Sequence, residues 1–120
     1  MLFRSVFGKP IGQNQSIQHP LAENWIELEA AELLIAKAAY QYDNGQNAGG
    51  IANAAKFFAA EAGFKAATQA IITLGGMGYA KEYHVERLMR ESLIPKLAPV
   101  SAQMILNYIS ERVLGLPKSY

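Results

Sequence analysis

The sequence predicts an all-α fold, an antiparallel four-helix bundle in one domain spanning residues 1–120. Three observations predict it. No segment alternates polar and apolar residues with the period of two that a half-buried strand requires. The five prolines stand at 10, 20, 95, 99 and 117, so the stretch between Pro20 and Pro95 is free to be helical. Within it Phe57, Phe64 and Ile71 repeat every seven residues, which places them on one helical face.

The first helix is expected to start near Pro20, a good first-turn residue, and to end about Asp43, where Asn44-Gly45 supplies a stop. Trp25, Leu28, Ile35 and Tyr42 mark one apolar stripe on it, and Ile26, Ala30 and Leu33 an adjoining one. A helix apolar over so broad an arc sits between neighbours. The loop Asn44–Gly50 is rich in glycine and asparagine. The second helix then runs from about Ile51 to Leu74, its alanines allowing close approach of partners, and Gly75-Gly76 ends it. A shorter helix from about Tyr83 to Leu93 turns Val85, Leu88 and Met89 inward and stops at Pro95. The last runs from about Val100 to Leu114 on Met104, Ile105, Tyr108 and Ile109, closed by Gly115 and Pro117.

Composition narrows the function. Of the 120 residues 51% are apolar and 18% charged, which marks a folded chain rather than a disordered one. The net charge of +1 and the lack of a Lys or Arg run give no nucleic-acid footprint. With no cysteine there is no disulfide framework, thiolate nucleophile or Cys-based metal site. No apolar run approaches the roughly 18 residues of a membrane span. The first ten residues, Met1 to Pro10, lack the apolar core of a signal peptide, so a cytoplasmic location is expected.

Candidate chemistry is sparse. The cluster Gly75-Gly76-Met77-Gly78-Tyr79 closes a helix, whereas phosphate-cradling glycine loops open one. It reads either as a helix C-cap with a tight turn or as a place where another molecule approaches the backbone closely. Arg4 near Phe7-Gly8 suits a phosphate or a flat ring, the plainer alternative being a solvated arginine. His19 and His84 each lack a nearby second ligand, so no metal site is expected. Glu82, Glu86, Arg87, Arg90 and Glu91 form a charged patch in which Glu86 and Arg90 pair along the helix. Glu61, among Phe57, Phe58 and Phe64, is a candidate acid or base, against the plainer alternatives of facing water or pairing with Lys65. No catalytic residue is assigned from these patterns.

Several motifs align in order. Arg4-x-x-Phe7-Gly8-Lys9-Pro10-Ile11, Gln15-Ser16-Ile17-Gln18 and Leu28-Glu29-Ala30-Ala31 are followed by Ala55-Lys56 and Ala60-Glu61-Ala62. Then come Gly75-Gly76-x-Gly78-Tyr79, Glu82-Tyr83, Val85-Glu86-Arg87 and Arg90. Across about residues 4 to 113 this order and spacing resembles the C-terminal helical domain of the acyl-CoA dehydrogenases. The resemblance implies a four-helix bundle that assembles subunits into dimers or tetramers and shares FAD between neighbours. It further implies oxidation of an acyl-CoA between Cα and Cβ, with a glutamate taking the α-proton and the flavin taking hydride.

By that resemblance Arg4 falls on the arginine that binds the phosphate region of the cofactor. Phe7 and Gln15 fall on residues that pack against it or hydrogen-bond it. Gly75 and Gly76 fall on the turn that lets it lie against backbone. Ser101 falls on a hydroxyl that faces the flavin. Two departures stand out. Ile72 replaces a glutamine frequent in the family, and Pro99 occupies the position of a glutamate base in Ala98-Pro99-Val100-Ser101. A proline cannot accept a proton. The acyl-CoA pocket and the β-domain contacts are expected from sequence outside this chain, so the chain is expected to be inactive alone. The alternative is a non-catalytic helical assembly module that has lost flavin chemistry.

Overall fold

A computed structural model describes residues 4–120 of the chain. Four helices carry the fold: α1 Gln15–Asp43, α2 Gly49–Leu74, α4 Val85–Ser92 and α6 Ala102–Tyr108. Two single helical turns, α3 Gly76–Tyr79 and α5 Ile94–Leu97, lie between α2 and α6. The all-α bundle expected from periodicity is the observed architecture.

The N-terminal stretch departs from expectation. Ser5–Val6 (β1) pairs antiparallel with Lys9–Pro10 (β2), and Phe7 and Gly8 make the turn with φ of 52° and 76°. Two successive left-handed residues match the twist of a tight hairpin, and Gly8 enters that region freely. Strands of two residues are too short to show alternation. A 3₁₀ turn over Ile11–Gln13 then leads into α1.

Helix α1 begins five residues before Pro20, not at it. Asn14 is extended, and its carbonyl accepts the amides of Ile17 and Gln18. Its side-chain Nδ2 donates to the Ile11 carbonyl at 3.2 Å, holding the entry to the helix. Pro20 is accommodated inside the second turn because its fixed φ is helical, at the loss of one amide donor. At the other end Asn44 Nδ2 donates to the Tyr40 carbonyl at 2.8 Å, and Gly45 has φ +68°.

Helix α2 is the centre of the molecule and touches α1, α3, α4, α5 and α6. Its buried residues are Ala55, Ala60, Ala62 and Thr73. Small side chains let helices approach on several sides at once. Gly49 and Gly50 extend this to the start of α2: a Cβ at Gly49 would overlap the Tyr108 hydroxyl, and one at Gly50 would lie 2.9 Å from Val113 Cγ2. The last helix therefore packs across them, Ile105 being its fully buried anchor at 1% exposure. It is α-helical only to Tyr108 and continues as a π turn over Ile109–Val113.

The seam that α1 turns to α2 is narrower than the sequence stripes indicate. Asn24 and Ala31 are buried, and Leu34, Ala38 and Gln41 are half-buried. The stripe of Trp25, Leu28, Ile35 and Tyr42 lies beside this seam and stays exposed, Trp25 at 63% and Tyr42 at 78%. Ile26 and Leu33 are exposed as well. One partner helix covers only part of the apolar arc. Leu88 and Met104, expected inward, are also exposed. Pro95 does not end the helical course but sits in the first turn of α5.

Candidate functional site

The first element of the site is the end of α2. Gly75 caps the helix with φ +61° and ψ −133°, a conformation that essentially only glycine adopts. Its amide donates to the carbonyls of Ile71 and Ile72, at 2.9 and 3.2 Å. The chain then reverses into α3, which folds back on α2 closely enough to bury Gly78. A Cβ built at Gly75 or Gly76 meets nothing within 4 Å. Backbone at the double glycine is therefore open to an approaching molecule, as the sequence allows.

The second element is the N-terminal hairpin. The Arg4 carbonyl accepts the Ile11 amide at 2.8 Å, which fixes Arg4 at the base of the hairpin. Arg4 and Ile11 meet Thr73, Leu74, Met77 and Tyr83 around a cleft of about 250 Å³. Arg4 has no carboxylate partner among the described residues. The cleft thus joins one unpaired guanidinium, an aromatic ring and aliphatic walls. Such a set takes an anionic group on one side and a flat apolar surface on the other.

The expected residues converge only in part. Arg4 lines the cleft with Thr73 and Leu74, before the double glycine, and Met77, after it; Gly75 and Gly76 themselves do not line it. Phe7 is fully exposed at the hairpin tip, and Gln15 is exposed at the start of α1. Both lie on elements that continue from the cleft, though neither lines it. Ile72 is exposed beside the turn. Ser101 stands apart: it caps α6, where its Oγ accepts the Met104 amide at 3.4 Å. That end of α6 packs near Lys56, whose Nζ donates to the Val100 carbonyl at 2.6 Å. Lys56 lies eighteen residues before Leu74 on the same helix, roughly 27 Å along its axis. Ile11, Thr73, Leu74, Met77 and Tyr83 are cleft residues that the sequence does not mark as site residues.

Charged residues sort into structural pairs. Arg90 pairs with Glu86 at 2.8 Å, as the spacing predicts, and Arg87 pairs with Glu91 at 2.8 Å. Glu61 does not pair with Lys65. It meets Lys96 at 2.8 Å, because α5 folds across α2 there. Lys65 instead reaches across to α1, to Glu27 at 2.6 Å and Glu23 at 3.8 Å. The hydrogen bond to Glu27 holds the Lys65 ammonium above the usual lysine range, helped by the negative charge of both carboxylates. Among the described residues no group of three His, Asp or Glu could hold a metal ion, and no helix is long and apolar enough to cross a membrane.

Comparison with known proteins adds an independent line. The profile described as Acyl-CoA dehydrogenase, C-terminal domain, matches residues 2–114. The acyl-CoA dehydrogenase FadE12 of Mycobacterium tuberculosis is 44% identical over 119 residues, which is 98% of this chain and 31% of that protein. A structure of the glutaryl-coenzyme A dehydrogenase glutaryl-CoA complex superposes with a TM-score of 0.89 at 37% identity, covering 98% of this chain and 30% of the other. An FAD complex of PigA superposes with a TM-score of 0.89 at 28% identity, covering 96% and 30%. The chain spans about a third of the length of the curated relatives it matches.

Proposed function

The chain belongs to the acyl-CoA dehydrogenase family, matching its C-terminal domain, and on that premise we propose that it is the FAD-sharing, oligomerising part of an oxidoreductase that desaturates an acyl-CoA between Cα and Cβ. The observation that carries the reading is that Arg4 lines one cleft with Thr73, Leu74 and Met77, the residues flanking the double-glycine turn, whose own backbone is open. The residues fit the cofactor. Arg4 supplies positive charge for a phosphate, Gly75 and Gly76 leave backbone open, and Ile11, Leu74, Met77 and Tyr83 offer surface to a flat group. Phe7 and Gln15 do not line the cleft and are assigned to the cofactor by family resemblance alone. Ser101, at the start of α6 and apart from the cleft, is assigned toward the ring system by family resemblance.

At about 250 Å³ the cleft falls below the roughly 300–1,000 Å³ of a complete small-molecule site, which supports a site shared with other polypeptide. Bound flavin supplies the hydride acceptor. The chain's own part is to bind and orient, and with Pro99 at the base position the proton acceptor comes from elsewhere in the protein. The exposed stripe of Trp25, Leu28, Ile35 and Tyr42 supports assembly into dimers or tetramers through α1. The protein works on acyl-CoA in the cytoplasm, within fatty acid metabolism.

The test is flavin retention. The chain is mixed with FAD, desalted, and its visible spectrum recorded, alongside Arg4→Ala. A flavin band that travels with the oligomer and is lost in Arg4→Ala supports the proposal. An oligomer that never retains flavin favours a non-catalytic assembly module, the reading to which the proline at position 99 lends weight. Equal retention by Arg4→Ala removes Arg4 from the site.

A further inference from the structure

We propose that Lys56 is the positioning residue for the segment between Pro95 and Ser101, holding it on α2 through two backbone carbonyls and so setting the Ser101 hydroxyl. The need for it arises in the sequence. In a helical course the Pro95 carbonyl would accept an amide from position 99, but Pro99 has no N–H. The Val100 carbonyl lies before the N-cap Ser101, outside the helical ladder of α6, and the Met104 amide turns to Ser101 Oγ. Both carbonyls thus lack a helical donor, and a donor from another helix ties down the segment between them.

Lys56 answers both. Its Nζ donates to the Pro95 carbonyl at 2.5 Å and to the Val100 carbonyl at 2.6 Å. It has no carboxylate partner among the described residues, so its charge is directed wholly at these two dipoles. Charge-assisted hydrogen bonds of this kind are about twice as strong as neutral ones. A second tie runs the other way: Lys96 of α5 reaches back to Glu61 on α2 at 2.8 Å, and its Nζ lies 4.8 Å from the Phe64 ring centroid. The two ties differ in what they hold. Lys96 fixes α5, whereas Lys56 brackets Pro99 and grips the peptide immediately before Ser101. The geometric part of this inference stands alone. Its functional part rests on the reading that Ser101 faces flavin.

Amide hydrogen exchange on the chain tests the geometry without a cofactor. In Lys56→Met the Met104 amide, which reports the Ser101 cap, is expected to exchange about tenfold faster as the local opening free energy falls. Amides within α2 keep their rates. Lys56→Arg, whose fork can reach both carbonyls, keeps Met104 protected, and Glu61→Gln loosens α5 without exposing Met104. FAD titration tests the function. Lys56→Met and Ser101→Ala are each expected to weaken binding about tenfold, and the double variant to be no weaker than the worse single one, since both remove one arrangement. Unchanged Met104 exchange in Lys56→Met overturns the proposal, as do losses that add in the double variant. If the unaltered chain binds no FAD, the flavin reading fails, and Met104 exchange still decides the role of Lys56.

Discussion

At Gly78 an added methyl group would sit 2.6 Å from the Ile71 carbonyl oxygen and 2.7 Å from its Cα, both backbone atoms. Neither can move without unwinding the last turn of α2. Gly78→Ala is therefore expected to destabilise the chain by about 1–3 kcal/mol in urea unfolding, the usual cost of overpacking. Gly76→Ala, facing open space, serves as the neutral comparison. An unchanged midpoint in Gly78→Ala would mean that α3 yields as a unit. The sequence distinguishes these glycines poorly. Gly75 is legible as a C-cap from its place after an apolar run. The tightness at Gly78 is not, because it depends on the next turn folding back. The same limit governs Glu61 and Lys65. Their proximity along α2 is readable, but their actual partners, Lys96 and Glu27, come from other helices.

Pro20 sits inside α1 with no N–H to donate to the carbonyl one turn earlier. Pro20→Ala restores that donor and is expected to raise stability by about 1–3 kcal/mol, read from the thermal or urea midpoint. A fall instead would assign the half-buried ring a packing role larger than the lost bond. The presence of α1, α2 and α6 was legible because long apolar periodicity and glycine stops define them. Their beginnings were less so. Asn14 starts α1 by geometry set in the preceding 3₁₀ turn, and Pro20 looked like the better signal because first-turn prolines are common. The hairpin was hidden for another reason. Two-residue strands carry no period, and Phe7 at φ 52° is a residue that sequence rules place there rarely.

The molecule measures 57 × 26 × 25 Å, an elongated body set by the α1–α2 pair. Among the described residues the buried apolar side chains are four alanines and Ile105, while Trp25, Leu33, Ile35, Tyr42 and Ile72 are exposed. So thin a core, with large side chains outside it, is a surface that association would cover. Light scattering is expected to give a dimer or tetramer, and Ile35→Asp to shift it toward monomer. A monomer at high concentration for the unaltered chain would remove α1 as the contact. The broad apolar arc of α1 was readable from sequence. Which part of it α2 would cover was not, because a helix seam is chosen by fit between two surfaces and only one was in view.

The chain contains one tryptophan, and it stands on the uncovered stripe of α1. Its indole works as a built-in dye. When water leaves its ring, emission moves toward shorter wavelength, with no competing indole to blur the change. A dilution series in a fluorimeter thus follows subunits meeting and parting on unlabelled material, and a colour constant across dilution would mean that Trp25 lies outside the contact.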